Sequence, residues 1–150
     1  MMQSSPTTVQ ILEGLRVELR QTVLPEVSAG PARVAVEMLD NVLSNLATRA
    51  AHEIAWMRDE SDEIERLAAE VDDPATRSAL AAYRETNREG LHLAEVQASY
   101  DRAGEVLSCA LEHALDTNDT VLLAASRHIL KIRSEREMAI LGDWNMVGRG

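Results

Sequence analysis

The chain contains four histidines, and the spacing around one of them is compatible with a metal site. Glu89 and His92 form a Glu-x-x-His pair, the arrangement that supplies ligands in helical di-iron proteins. Such a site requires a second pair and two further glutamates on facing helices, and the sequence contains no second pair. Gly90 lies inside the existing pair and weakens a helix there. Glu89 and His92 are therefore candidate metal ligands, but we favour a solvated helix end and expect no cofactor.

Two other pairs combine groups that could exchange protons. His52 and Glu53 are adjacent and lie close to Trp56, so they could form an acid–base pair in a polar cleft. The same positions flank an apolar stripe, where a histidine is half-buried and a glutamate reaches water, and we favour this second interpretation. Cys109 and His113 share a helix face, but a lone cysteine among apolar residues usually packs in a core.

Arg136 occupies a position in the apolar seam of the last predicted helix. An unpaired charge buried there would be costly, so the guanidinium must reach water or a carboxylate. Glu37 and Asp40 lie on the polar shoulder of the second predicted helix and could supply that carboxylate. We expect a structural or interface ion pair between Arg136 and Glu37 or Asp40, with recognition of an anionic ligand as the alternative.

Long helices must position these residues, because the chain has only 4 prolines and 7 glycines. The first helix is predicted from residues 7–8 to about Leu24. The second begins at Pro31, and its apolar stripe of Val36, Leu39, Leu43 and Leu46 continues to Met57. The polar segment 58–62 then either breaks this helix or forms a solvated turn within it.

Three more helices are predicted in the second half of the chain. Asp73 and Pro74 are typical of a helix start and indicate a short helix over residues 74–87. Apolar residues alternate at spacings of three and four over residues 93–114, and a last helix follows over residues 120–141. No segment shows the period-two alternation of strands. We predict an all-α fold, an antiparallel bundle of four main helices plus one short extra helix.

The tail that follows Gly142 contains Trp144, Met146 and Val147, which are unusual residues for a free coil. We expect Trp144 to dock on the bundle or on a partner. Trp56, Trp144 and Met146 are therefore predicted to belong to a contact surface.

Composition limits the classes of protein to which this chain can belong. It has 150 residues, with 25 acidic and 15 basic side chains and a formal net charge of −10. No basic cluster is present, so binding to nucleic acid or to an anionic membrane is not expected. The first residues do not resemble a signal peptide, and the single Cys109 cannot form an internal disulfide, which favours the cytoplasm. We predict one domain over residues 1–150, with residues 1–6 as a flexible start.

The N-terminal part of the chain resembles a known family. The resemblance lies in the leucine-rich residues 8–19, the Val-Leu-Pro sequence at 23–25 and the Ala-Arg-Val-Ala sequence at 32–35. Together they resemble a small helical bacterial domain of unknown function that accompanies aminoglycoside-phosphotransferase-like kinases and acyl-CoA dehydrogenases. The resemblance covers about the first 50 residues. It implies an accessory role beside an enzyme and supplies no catalytic residue.

The first functional hypothesis is a non-catalytic interaction protein that self-associates or docks on an enzyme partner through an apolar helix face and the Trp144 tail. The absence of a nucleophile motif and of a glycine-rich phosphate loop favours it. The alternative is a small-molecule or metal-dependent enzyme with a site between helices around His52 and Glu53 or around Glu89 and His92. A third possibility, regulation of a basic partner, rests on net charge alone. The sequence identifies no particular partner or small-molecule ligand.

Overall fold

A computed structural model describes residues 5–142, and all regular structure in this range is helical. The prediction of an all-α fold is confirmed for these residues. No helix among them combines the length with the apolar character that a membrane span requires. A π-helical turn (Leu19–Val23) and a 3₁₀ turn (Leu24–Glu26) follow the first helix. In chain order the α-helices are α1 (Thr8–Glu18), α2 (Pro31–Ala69), α3 (Pro74–Arg84), α4 (Leu93–Thr117) and α5 (Thr120–Leu141).

Side-chain caps fix where three of these helices begin. The Thr7 hydroxyl accepts from the Gln10 backbone N–H at 3.3 Å, and the Gln10 side chain accepts from the Thr7 backbone N–H at 2.8 Å. Asp73 accepts from the Thr76 backbone N–H at 2.7 Å. Asp119 accepts two backbone N–H groups in the first turn of α5, both at 3.0 Å. Each cap satisfies N–H groups that the helix leaves without an intrahelical partner.

Helix α2 continues without a break through the polar segment 58–62. Two polar residues in this segment, Glu60 and Ser61, are buried. Their burial is tolerated because each has a hydrogen-bond partner inside the protein. Ser61 donates from its hydroxyl to the Met57 carbonyl one turn earlier, at 2.8 Å. Glu60 is only 3% exposed and binds side chains of two other helices. The segment is therefore part of the packed face of α2 and not a solvated turn.

The described residues form two compact units. Unit 1 contains α1, the first part of α2 up to Glu53, and the end of α5 from Glu137. Unit 2 is Ile54–Arg136 and contains the rest of α2, all of α3 and α4, and most of α5. The single domain expected over residues 1–150 stays a prediction, since compactness does not show whether the units fold independently.

Unit 2 has a continuous apolar core to which four helices contribute. Three alanines on α4, Ala103, Ala110 and Ala114, are fully buried, so neighbouring helices can approach α4 closely, as its predicted seam requires. The absence of phenylalanine leaves Tyr83 as the largest fully buried side chain. The main cluster consists of Ile64, Ala68, Leu80, Tyr83, Ala103, Val106, Leu107 and Ile129, and a second cluster consists of Val71, Ala110, Ala114 and Leu122.

Unit 1 buries much less of its apolar surface. Helix α1 has no buried residue, and the described part of unit 1 buries only Asp40 and Ala47. Leu39 and Leu46 were predicted to face the core, but each is about half exposed. The predicted members Val36 and Leu43 are partly buried, so the inward face in this unit combines them with Asp40 and Ala47 in place of Leu39 and Leu46.

The ends of two helices complete the comparison with the sequence. Helix α3 ends at Arg84, three residues before the predicted limit of Asn87. Helix α5 ends at Leu141, and Gly142 adopts the left-handed conformation (φ +66°) that stops a helix, as predicted. The predicted docking of Trp144 and Met146 lies outside the described residues.

The alanine seam of α4 makes a quantitative prediction. We expect Ala103→Leu to lower the free energy of unfolding by about 1–3 kcal/mol, because the added methyl groups have no space in the core. Urea denaturation followed by circular dichroism measures this change. Ala98→Leu, at an exposed position of the same helix, is the matched control and should change stability by less than about 0.5 kcal/mol. Equal effects of the two substitutions would contradict the assigned packing.

Candidate functional site

The centre of unit 1 is a charged cluster instead of an apolar core. Asp40 is 9% exposed, and both of its carboxylate oxygens accept hydrogen bonds from arginines. Arg16 donates from Nε to Oδ1 at 3.0 Å, and Arg20 donates from Nε and Nη2 to Oδ2 at 2.9 and 2.6 Å. Arg16 also binds both oxygens of Glu13, at 2.9 and 3.0 Å. We call Asp40, Arg16 and Arg20 the Asp40 cluster.

The Asp40 cluster joins α1 and the turn after it to α2. Burial by itself would raise the pKa of Asp40, but the hydrogen bonds from Arg20 and Arg16 and their positive charges hold it below its usual range. The same bonds raise the pKa of Arg16 against its own burial. The carboxylate is therefore charged at neutral pH, and α1 is held by charge-assisted hydrogen bonds.

The remaining arginines among the described residues of unit 1 also have carboxylate partners. Arg33 binds Glu37 at 3.3 Å, and Arg49 binds Glu53 at 2.5 Å, each pair one helical turn apart. Arg33 also donates to two carbonyl groups of the connection between α1 and α2. Every arginine among the described residues of unit 1 therefore has a carboxylate partner in the same unit.

An apolar surface adjoins the Asp40 cluster. It consists of residues at helical spacing on α1 and α2, each about half exposed, and we call this set the apolar face. Its members are Ile11, Leu15, Leu39, Val42 and Leu46. Asn45 lies one turn after Val42 on α2, and its side-chain amide, oriented to satisfy its hydrogen bonds, donates to the Ile140 carbonyl at 2.7 Å. The end of α5 thus approaches α2 beside the apolar face.

Unit 2 contains a second buried carboxylate, Glu60. Its Oε1 atom accepts from Arg133 Nε at 2.7 Å and from the Tyr100 hydroxyl at 3.1 Å, and Arg133 Nη2 lies 2.6 Å from the same oxygen. The Arg133 guanidinium also lies over the Tyr100 ring, 5.5 Å from its centroid. Glu60 thereby joins α2 to α4 and α5 beside the apolar core.

Arg136 is placed differently from the sequence-based expectation. Its Nη1 donates to the Trp56 carbonyl at 2.9 Å, its guanidinium lies 5.9 Å from the centroid of the Trp56 indole, and Nη2 lies 3.7 Å from Asp59. The expected partners, Glu37 and Asp40, bind arginines of unit 1 instead, and these arginines already satisfy their charge. Arg136 still forms a structural ion pair, but within unit 2, and Trp56 contacts it.

The residues proposed for a metal site or a polar cleft are not brought together. Glu89 and His92 are exposed in the connection between α3 and α4, where the chain is not helical before Leu93. His52 is exposed on α2, and Glu53 points its carboxylate at Arg49. Within residues 5–142, no group of three or more His, Cys, Asp or Glu side chains is arranged to hold a metal ion.

Cys109 lacks the environment of a reactive thiol. Burial, together with the carboxylate of Glu112, raises the pKa of the Cys109 thiol, whereas an active nucleophile requires a lowered value. His113 was predicted to share a helix face with Cys109. Its Nδ1 atom lies 3.7 Å from a carboxylate oxygen of Asp73, the residue that caps α3. The thiol and the imidazole therefore offer no nucleophilic pair.

The sequence analysis did not identify Arg16, Arg20, Glu60 or Arg133 as site residues, although a signal was present. Arg16 and Arg20 are one turn apart and each directly follows a leucine of the first helix, and Asp40 directly follows Leu39 of the second. Arg133 likewise precedes Arg136 by three residues and can face the polar segment that contains Glu60. Charges of opposite sign beside the apolar stripes of two helices indicate ion pairs between those helices.

In comparisons with known proteins, no family model, no curated protein and no solved structure matches this chain.

The lowered pKa of Asp40 predicts how its contribution depends on pH. Since the folded value lies below the unfolded value of about 4, the stabilisation is complete above pH 4 and is lost as the pH falls through the folded value. We expect Asp40→Asn to cost about 2 kcal/mol at pH 6, because two arginines lose their ionised acceptor. The cost should shrink as the pH is lowered from 6 toward 3, because the aspartate is protonated more readily in the unfolded chain than in the native one. Urea denaturation at both pH values measures this, and a pH-independent cost would contradict the assignment.

The Glu60 network predicts strong coupling between its two charges. Glu60→Met alone should destabilise the chain by about 3 kcal/mol, because it leaves Arg133 partly buried without its carboxylate. The double variant Glu60→Met with Arg133→Met should recover most of that loss, since no unpaired charge remains. Additive losses, measured by a double-mutant cycle in urea, would show that the pair is not coupled.

Proposed function

We propose that this chain is a non-catalytic helical interaction protein that forms a homodimer through the apolar face of unit 1. The observation that carries the proposal is a set of large apolar residues that are each about half exposed, on α2 and on a helix, α1, that has no buried residue. Burying apolar surface is the main stabilising term in folding, and the described part of unit 1 buries few of its own apolar side chains. A partner that covers the apolar face would supply the missing burial.

The positions of the leucines support a single continuous face. In each helix, a leucine directly precedes the residue of the Asp40 cluster that points at the other helix: Leu15 precedes Arg16, and Leu39 precedes Asp40. One residue corresponds to a rotation of about 100° around a helix. In an antiparallel pair, which the short connection favours, these equal rotations bring both leucines to the same side.

A second copy of the chain is the occupant that fits this face. Two helices with apolar residues on one side are half of a four-helix bundle, and two copies related by a twofold axis complete it with self-complementary surfaces. Charge is compatible with this arrangement. Residues 5–53 contain six acidic and four basic side chains, and each arginine is paired internally, so the net charge of −2 opposes self-association only weakly.

The finer features expected from the sequence enter this proposal with their own support. The expected antiparallel bundle of four main helices plus one short extra helix is supported by the apolar core of unit 2, to which α2, α3, α4 and α5 all contribute. An accessory role beside an enzyme in a bacterial cell rests on the resemblance of the first residues to the accessory domain. A cytoplasmic location rests on the single, unactivated Cys109. An enzymatic function has no comparable support, because His52, Glu89 and His92 are exposed and the Glu53 carboxylate is paired with Arg49.

Light scattering coupled to size-exclusion chromatography tests the proposed dimer. At a concentration of about 50 µM, well above a micromolar dissociation constant, we expect twice the 16.5 kDa mass of one chain. Leu15→Glu and Leu39→Glu should each give the monomer, because a charge would be buried in the apolar face. Leu91→Glu is the matched control at a leucine that is 74% exposed in the connection between α3 and α4, and it should leave the dimer intact. A monomeric native chain, or dimers in all three variants, would overturn the proposal.

A further inference from the structure

One end of unit 2 contains an apolar groove with a volume of about 390 Å³. Leu67 and Val71 at the end of α2 form one wall, and Leu122 and Ala125 of α5 form the other. This volume is within the range of sites that hold a drug-sized molecule or a few side chains of a peptide. The groove lies entirely within unit 2 and is separate from the apolar face of unit 1.

Val121 at the edge of this groove is unusually exposed for an apolar residue. It is 79% exposed, more than any other large apolar side chain among the described residues. It lies in the first turn of α5, where Asp119 accepts a hydrogen bond from its backbone N–H. Because the backbone is already ordered, contact with a ligand costs little further backbone entropy. A rigid, exposed apolar residue beside an apolar groove extends the surface that a ligand can cover.

The rim of the groove is acidic. Glu70, Asp72 and Asp119 lie along it, and no lysine or arginine is among its lining residues. Asp72 also forms an ion pair with Arg77, which lies outside the groove. His113 lines the groove and lies 3.7 Å from Asp73, so another carboxylate is close by.

Helix ends of both signs lie in this region. Helix α2 ends at Ala69 and helix α4 at Thr117, where the partial charge is negative, whereas α5 begins at Thr120 with a positive partial charge that the Asp119 carboxylate offsets. The last turn of α4 contains Asp116 and no basic residue, although a cation is the favoured side chain there. A positive group from another molecule would relieve this unfavourable arrangement.

We propose that this groove binds a basic amphipathic segment of a partner protein. A large apolar side chain of that segment packs on Val121, Leu67 and Ala125, and flanking lysines or arginines bind Glu70 and Asp72. The choice of occupant follows from charge complementarity between the acidic rim and a basic segment. The site is independent of the dimer, so either proposal can fail without the other.

Binding of a defined peptide to the full chain tests this inference. The probe is a fluorescein-labelled 14-residue amphipathic peptide of leucine and lysine, with a glutamate version of the same leucine pattern as its counterpart. At about 0.15 M salt, where long-range attraction is screened, we expect saturable binding of the lysine peptide, one per chain, and none of the glutamate peptide. Val121→Ser should weaken binding about ten-fold, and Leu91→Ser, which removes an equally exposed apolar residue elsewhere, less than about two-fold.

A second pair of variants separates the groove from general attraction to an acidic protein. Glu70→Gln with Asp72→Asn removes two charges at the rim, and Asp101→Asn with Glu105→Gln removes two from an exposed part of α4. Each pair includes one carboxylate that is bound to an arginine, so the two variants are matched. We expect about ten-fold weaker binding for the rim variant only. Equal losses, binding of both peptides, or tighter binding of free dodecylamine than of the lysine peptide would overturn the proposal.

Discussion

Helix α2 carries two carboxylates on its packed face, and each must be neutralised by a side chain from another helix. Asp40 is bound by Arg16 and Arg20, and Glu60 by Arg133 and Tyr100. A buried charge without such a partner would be strongly destabilising, so each carboxylate restricts the register of the helices around it. The continuity of α2 through its polar segment depends on this pairing, because Glu60 would otherwise have to reach water.

The two units use their buried charges differently. In unit 2, Glu60 lies beside an apolar core that four helices share, so the ion pair specifies an arrangement that burial already stabilises. In unit 1, Asp40 occupies the position where a core would be, and the leucines next to it remain half exposed. Ion pairs of this kind contribute modest net stability, so the described part of unit 1 is stabilised less by burial than unit 2 is.

Much of the fold follows from local signals in the sequence. Asp73 with Pro74 and Gly142 mark helix ends whatever the packing, so the start of α3 and the end of α5 agree with prediction. The inward face of α2 could not be predicted in the same way. Apolar residues of this helix lie on two neighbouring stripes, and the sequence does not distinguish the one that faces the interior. The partner of Arg136 was also beyond the sequence, since it depends on the register of α5 against α2, which the Glu60 pair sets.

Hydrogen exchange of α1 tests the central claim most directly, namely that α1 completes its packing only when two copies associate. Amide exchange over residues 8–18 should be measured by mass spectrometry from about 1 to 100 µM protein, a range that spans a micromolar dissociation constant. The account predicts that protection of α1 increases with concentration while protection of α4 stays constant. Protection of α1 that is already high and unchanged on dilution would contradict it, because the Asp40 cluster would then hold the helix without a second copy.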